Sequence, residues 1–306
     1  MAKYYATIAG LPNIGVEDRK LPLSVEQFIA EVQPELTSGD TELFRLLLLE
    51  EENRKVVAYL KALDENQERA VSFALIDSEE LTVLVSAIKN RHKLPRPKTV
   101  PQYIKEHLLL RYPDSEQEPQ ENDNDDLPES SIRLLILEED RLSALYHAHL
   151  LRCGNRFIRN WAELNLNLRN VLSAYICRQL GWSVEHYIVG DNEVAQRLRS
   201  SSAKDFGITS EEVEYISRLT AIAEERDITR RERLIDVLRW EWLEEQIFFK
   251  PFDIEALLTY YLQLSIVNRW LELNEKKGEE TFRAIVQDLK RQSTDALNEF
   301  KRNQKK

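Results

Sequence analysis

Apolar residues recur along most of the chain at the spacing of one helical face. Phe282, Ile285, Val286 and Leu289 fall at i, i+3, i+4 and i+7; Leu234, Ile235, Leu238 and Trp242 form a similar stripe, and so do Ile254, Leu257, Leu258, Tyr261 and Leu264. Start signals precede several stripes. Ser24 and Gln27 ahead of Phe28 have capping-box spacing, as do Thr209 and Glu212 ahead of Tyr215, Leu219 and Ile222. Asp77-Ser78-Glu79-Glu80 before Leu81 reads as another helix start. Pro95-Arg96-Pro97, Gly181 and Gly190 read as stops. Alternating strand patterns are scarce, and Tyr4 to Ala9 is an apolar run that periodicity assigns to neither state. The pattern predicts an all-α, multi-helix protein of about ten or more helices.

Three of these segments can be laid over one another: 51–59, 167–175 and 253–261. Each opens on an acid or amide, holds an aliphatic at its sixth place (Val56, Leu172, Leu258) and closes on Tyr. A recurrence of this kind suggests three related helical subdomains.

Composition narrows the classes. The chain has 306 residues, 42% hydrophobic and 31% charged, with ample apolar sequence for a core. Gly numbers only 8, which disfavours glycine-rich nucleotide folds and turn-dense barrels. With Cys at 2, no disulfide framework is available and a reducing compartment is favoured. A net charge of −11 disfavours a nucleic-acid partner. No apolar run reaches the roughly 18 residues of a membrane helix, and the first residues, with one basic residue and a short apolar stretch ended by Pro12, are too weak a pattern for a signal peptide. The charge is uneven. Residues 113–131 carry eight acids, no Lys or Arg, and Pro113, Pro119 and Pro128, the composition of a flexible acidic insertion. That divides the chain into an N-terminal helical region (1–112), the insertion (113–131), and a central and C-terminal helical region (132–306), the alternative being one continuous domain overall. Residues 290–306 have a net charge of +4, which suits the negative end of a helix dipole or an anionic headgroup layer.

Reactive chemistry is hard to find. Gly10-Leu11-Pro12-Asn13-Ile14-Gly15 has phosphate-loop glycine spacing, but Val16 stands where Lys is required. His147 and His149 are two apart and point to different sides of a helix; His149 and Cys153 share a face but supply two ligands, short of the three or four a zinc ion needs. Cys177 has no neighbouring His to activate it. Glu138-Glu139-Asp140 reads as a charged face entering a helix. No nucleophile elbow and no carboxylate pair in an apolar setting occurs. No catalytic, cofactor-binding or metal residue is therefore assigned.

The unusual stretch is Asn155–Asn170, with five Asn and three Arg among large apolar side chains. Asn competes for backbone hydrogen bonds and is a mediocre helix former, so its recurrence beside Trp161 and several Leu needs a reason. One reading is a buried polar network that sets helix register, the other a seam facing a partner subunit. Asn160, Trp161, Asn167, Arg169 and Asn170 are the candidates for network or seam, and Arg156 and Arg159 for a basic rim.

Together with Tyr4-Tyr5-Ala6-Thr7-Ile8-Ala9-Gly10-Leu11-Pro12 and Arg269-Trp270-Leu271-Glu272-Leu273 with Gly278, Phe282 and Val286, this stretch resembles an uncharacterised bacterial family, frequent in Bacteroidetes, found alongside V-type ATPase subunits. That family is in turn distantly similar to the V/A-type ATPase subunit called C or d. The resemblance implies a funnel-like body of three similar helical subdomains and a non-catalytic role without cofactors, coupling the central stalk to the membrane proteolipid ring in rotary ion transport. It implies stalk subunits and the ring as partners, and a cytoplasmic location peripheral to the inner membrane. The alternatives are a stand-alone helical adaptor or assembly factor for the same complex, and an all-helical enzyme with a dispersed site.

Overall fold

A computed structural model of the chain describes residues 4–65, 71–112, 127–201, 203, 206–210 and 213–273, with backbone alone for 127–137. The described residues are all-helical: eleven α-helices, two 3₁₀ turns and no strand. In chain order these are α1 (Tyr5–Gly10), α2 (Val25–Val32), α3 (Ser38–Asp64), α4 (Ser78–Lys89), α5 (Gln102–Arg111), α6 (Leu127–Leu151), α7 (Arg156–Leu180), α8 (Glu193–Ser200), α9 (Ile216–Ala223), α10 (Ile228–Ile247) and α11 (Ile254–Glu272), with 3₁₀ turns at Gln33–Glu35 and Val184–Tyr187.

The caps explain several boundaries. Ser24 accepts the Gln27 N–H while Gln27 accepts the Ser24 N–H, the reciprocal box expected ahead of α2. Asp77 accepts from the N–H groups of Glu79 and Glu80 and opens α4. The Tyr4–Ala9 run resolves as helix α1. Three expectations move. Around Thr209 the chain makes a turn, with Val213 N–H on Thr209 C=O, and α9 starts later at Ile216; Glu212 lies outside the described residues. Glu138, Glu139 and Asp140 sit well inside α6 rather than at its entrance, because the helix already begins at Leu127 with Pro128 in its first turn, where a missing N–H costs nothing. Residues 127–131 of the acidic insertion are therefore helix, and 113–126 lie outside the described residues, as does the Phe282–Leu289 stripe.

The described residues fall into two compact units. One comprises residues 4–36, 127–135 and 240–273. Its centre is α11, mostly buried from Ile254 to Val267, against which α2 packs. Phe28 of α2 meets Tyr260 with ring centroids 5.1 Å apart, and the Tyr260 hydroxyl donates to Pro12 C=O at 2.9 Å. The other unit comprises residues 37–65, 71–112 and 136–239. Its spine is α7, with α8, α9 and the Val184–Tyr187 turn packed on it. The three superposable segments lie in the middles of α3 and α7 and at the start of α11, and their sixth residues differ: Val56 and Leu258 are buried, Leu172 half-buried. No described helix is long and apolar enough to cross a membrane.

Candidate functional site

Helix α7 carries every residue singled out in the Asn/Arg stretch. Asn155, its N-cap, accepts the Ile158 N–H at 3.1 Å. Gly181 ends it in a left-handed conformation at φ 72°, where a side chain would be strained. Between them the helix buries thirteen residues, Asn167 and Asn170 among them.

Asn170 is fully buried and holds a neighbouring loop segment by both ends of its amide. Its Nδ2 donates to Val189 C=O at 2.7 Å and its Oδ1 accepts the Val189 N–H at 2.9 Å. An Asn amide has the donor and acceptor geometry of a peptide group, so it can pair with extended backbone as another strand would. The loop lies close: a Cβ on the next residue, Gly190 (φ 75°), would meet the Leu166 side chain at 3.1 Å, so only glycine fits without displacement. One turn back, Asn167 donates to the Tyr215 hydroxyl at 2.9 Å and accepts from Asn192 Nδ2 at 2.7 Å. Asn192 is itself the N-cap of α8, accepting from Ala195 N–H at 3.0 Å. Burial pushes the Tyr215 phenol up to about 12, against the opposing pull of its bond from Asn167. None of these groups changes charge near neutral pH.

Arg169, between the two amides, reaches the other way and pairs with Asp140 of α6. Arg159 donates to Cys153 C=O at 2.6 Å and Gly154 C=O at 2.9 Å, tying down the turn after α6. Arg156 is exposed, Asn160 half-buried and Trp161 buried. Of the seven candidates, Asn167, Arg169 and Asn170 therefore join α7 to its surroundings, Arg159 fastens the chain leading into it, and Arg156 is directed to solvent.

The acids of α6 form a second set of ties. Glu139 pairs with Lys61 of α3 at 3.0 Å, and Glu138 pairs with Arg111 of α5. Arg111 also pairs with Asp64, which receives Lys89 at 3.0 Å. Three successive acids thus engage three different helices. Inside this group lies His107 of α5, fully buried, with Glu138 Oε1 3.7 Å from its Nε2. Neither ring nitrogen has a hydrogen-bond partner among the described residues. Burial, with the Arg111 and Arg141 charges adding, pushes the imidazole down to about 4, so it is neutral at physiological pH.

Glu52 of α3 is the fully satisfied counterpart. Its carboxylate accepts the N–H groups of Ala74, Leu75 and Ile76 at 3.0 to 3.3 Å and the Lys55 ammonium at 3.0 Å. Burial pushes the carboxyl up, but the Leu75 and Ala74 N–H groups and Lys55 outweigh it and hold the group below its usual range. Neither residue is among the sequence candidates, although the pattern contains both: Leu49, Glu52, Asn53, Val56 and Leu60 follow the buried stripe of α3, and Ile104, His107 and Leu108 that of α5.

His147 hydrogen-bonds Ser143 C=O at 2.7 Å, His149 packs on the Tyr103 ring at 5.3 Å, and the Cys153 thiol accepts from Asn155 N–H at 3.5 Å. Among the described residues no three His, Cys, Asp or Glu side chains gather as metal ligands.

In the other unit the surface shows a different chemistry. Phe248 and Phe249, just past the end of α10, are 74% and 89% exposed. Single exposed apolar residues are ordinary on protein surfaces; here two phenyl rings stand exposed side by side.

No curated protein and no solved structure matches the chain. A family does match, over residues 1–293, and its description is "Protein of unknown function (DUF2764)". With nearly its whole length covered, the chain belongs to that family.

Proposed function

We propose that this chain is a non-catalytic subunit of a V/A-type rotary ATPase, a stiff helical coupler between the central stalk and the proteolipid ring, held at the cytoplasmic face through the ring. One observation carries the reading. The residues that bear the resemblance to the V-type-associated family, centred on Asn167, Arg169 and Asn170, are the ones that lock α7 to α6, α8, α9 and the Val189 backbone. A coupler transmits torque through its body, so its distinctive polar groups belong inside, where low dielectric strengthens each bond and an unpaired group is costly. The ion pairs from α6 to α3 and α5 add to the same stiffness. The exposed phenyl pair supplies an apolar contact of the kind a subunit interface uses.

The test is purification of the rotary ATPase through a tag on another subunit, followed by quantitation of this chain. A fixed stoichiometry through the final column is expected. Substoichiometric amounts that dissociate on washing favour the adaptor or assembly-factor reading, and complete absence under conditions that keep stalk and ring together removes the coupler reading.

A further inference from the structure

We infer that the turn between α10 and α11 is a docking knob, with Phe248 and Phe249 entering an apolar recess whose border carries Lys or Arg on a protein partner. The proposal rests on the coupler reading for the identity of that partner, a subunit of the same motor.

The construction of the turn supports it. After α10 ends at Ile247, Phe248 N–H reaches Glu245 C=O at 3.4 Å and Lys250 N–H reaches Ile247 C=O at 2.8 Å, so the chain folds back tightly. Pro251 follows and prevents the helix from continuing. The two rings stand edge to face, centroids 4.8 Å apart and planes at 87°, a favoured aromatic geometry. The base of the turn is anchored. Phe252 is half-buried against the Tyr5 ring at 4.6 Å, and its C=O accepts the Tyr4 N–H at 2.9 Å. A preformed knob loses little freedom when it docks, which is what separates an anchor residue from a mobile exposed side chain.

The charge beside the knob selects among partners. Glu244 and Glu245, both exposed, close α10, and Glu244 also accepts the Trp240 indole N–H at 2.8 Å. The one cation of the turn, Lys250, is paired with Glu255 at 3.2 Å. The flank is therefore acidic. Anionic lipid would be repelled, and a second copy of this chain docked knob to knob would bring acid against acid. A recess bordered by Lys or Arg meets both the rings and the carboxylates.

The test uses the full chain and the rotary ATPase assembled without it, with association read by surface binding. The wild type is compared with the Phe248→Ala/Phe249→Ala double variant, the Phe249→Ala single variant and Glu245→Lys, each checked for an unchanged melting temperature. The expected result is association that weakens at least about tenfold in the double variant, less in the single variant, and also in Glu245→Lys and at raised salt. Wild-type association that none of these changes alters overturns the knob and leaves the coupler reading standing. No wild-type association overturns both. Binding of the wild type, but not the double variant, to phosphatidylcholine–phosphatidylglycerol vesicles, or a dimer in sedimentation that the double variant abolishes, overturns the protein recess in favour of lipid or of self-association.

Discussion

In α7 the amides of Asn167 and Asn170 are buried among leucines, whereas after α10 the rings of Phe248 and Phe249 stand in water. The two regions reverse the usual placement of polar and apolar side chains, and for different reasons. A buried amide is tolerated only when each donor and acceptor is met, and once met it fixes geometry more sharply than an alkyl contact, which is indifferent to direction. An exposed phenyl pair removes little apolar surface from water in the isolated fold, and the proposed recess on a partner is what would give it a role. Stability should therefore be sensitive to the amides and indifferent to the rings, and association the reverse.

The largest expected effect is at the amide clamp. Asn170→Leu strands the N–H and C=O of Val189 and should lower unfolding stability by about 3 kcal/mol, read by urea denaturation. A loss below about 1 kcal/mol would mean that Val189 is held by something else.

Next comes His107. Its folded pKa, about 4, lies below the value of about 6.5 expected when unfolded. Between these the unfolded chain binds a proton that the folded chain refuses, so stability should fall as pH drops from 6.5 to 4, by about 3 kcal/mol at the lower limit. His107→Leu should flatten that part of the pH profile, and an unaltered slope in the variant would clear the imidazole of the effect.

Glu52→Gln should cost about 2 kcal/mol near neutral pH, since the amide presents an NH₂ group where the Ala74–Ile76 backbone offers only donors. The carboxyl is held low in the fold, so its contribution is present above the unfolded value and lost as pH falls through the folded one. The deficit of the variant should accordingly shrink in acid.

Smallest is the stability effect of Phe248→Ala/Phe249→Ala, expected within about 0.5 kcal/mol of wild type by the same denaturation. A larger drop would show the rings to be part of the folded packing and would erase the contrast with α7.

Much of the architecture could be read from periodicity and caps. The helical class, the Ser24 and Asp77 starts and the Gly181 stop follow from local chemistry that acts within one turn of chain. What was not legible depends on groups far apart in sequence. Asn170 looks the same on paper whether it faces a partner or Val189, nineteen positions on. Glu52 hides in the charged run Glu50–Lys55, which reads as an exposed face unless the stripe from Leu49 to Leu60 is followed through it. Glu138, Glu139 and Asp140 have helix-entry composition, but their partners lie on α5, α3 and α7, and sequence alone cannot place three helices around a fourth. Phe248 and Phe249 carry the opposite ambiguity, since two phenylalanines after an amphipathic helix read as core.

The division of labour between inside and outside is tested most directly at Asn167, whose amide joins Tyr215 to Asn192. The measurement is association of Asn167→Leu with the assembled rotary ATPase, normalised to the folded fraction from its own melting curve. The account predicts a lowered melting temperature with association per folded molecule equal to wild type. A melting temperature that holds while association collapses would contradict it, and would move the α7 seam from the interior of the protein to an interface.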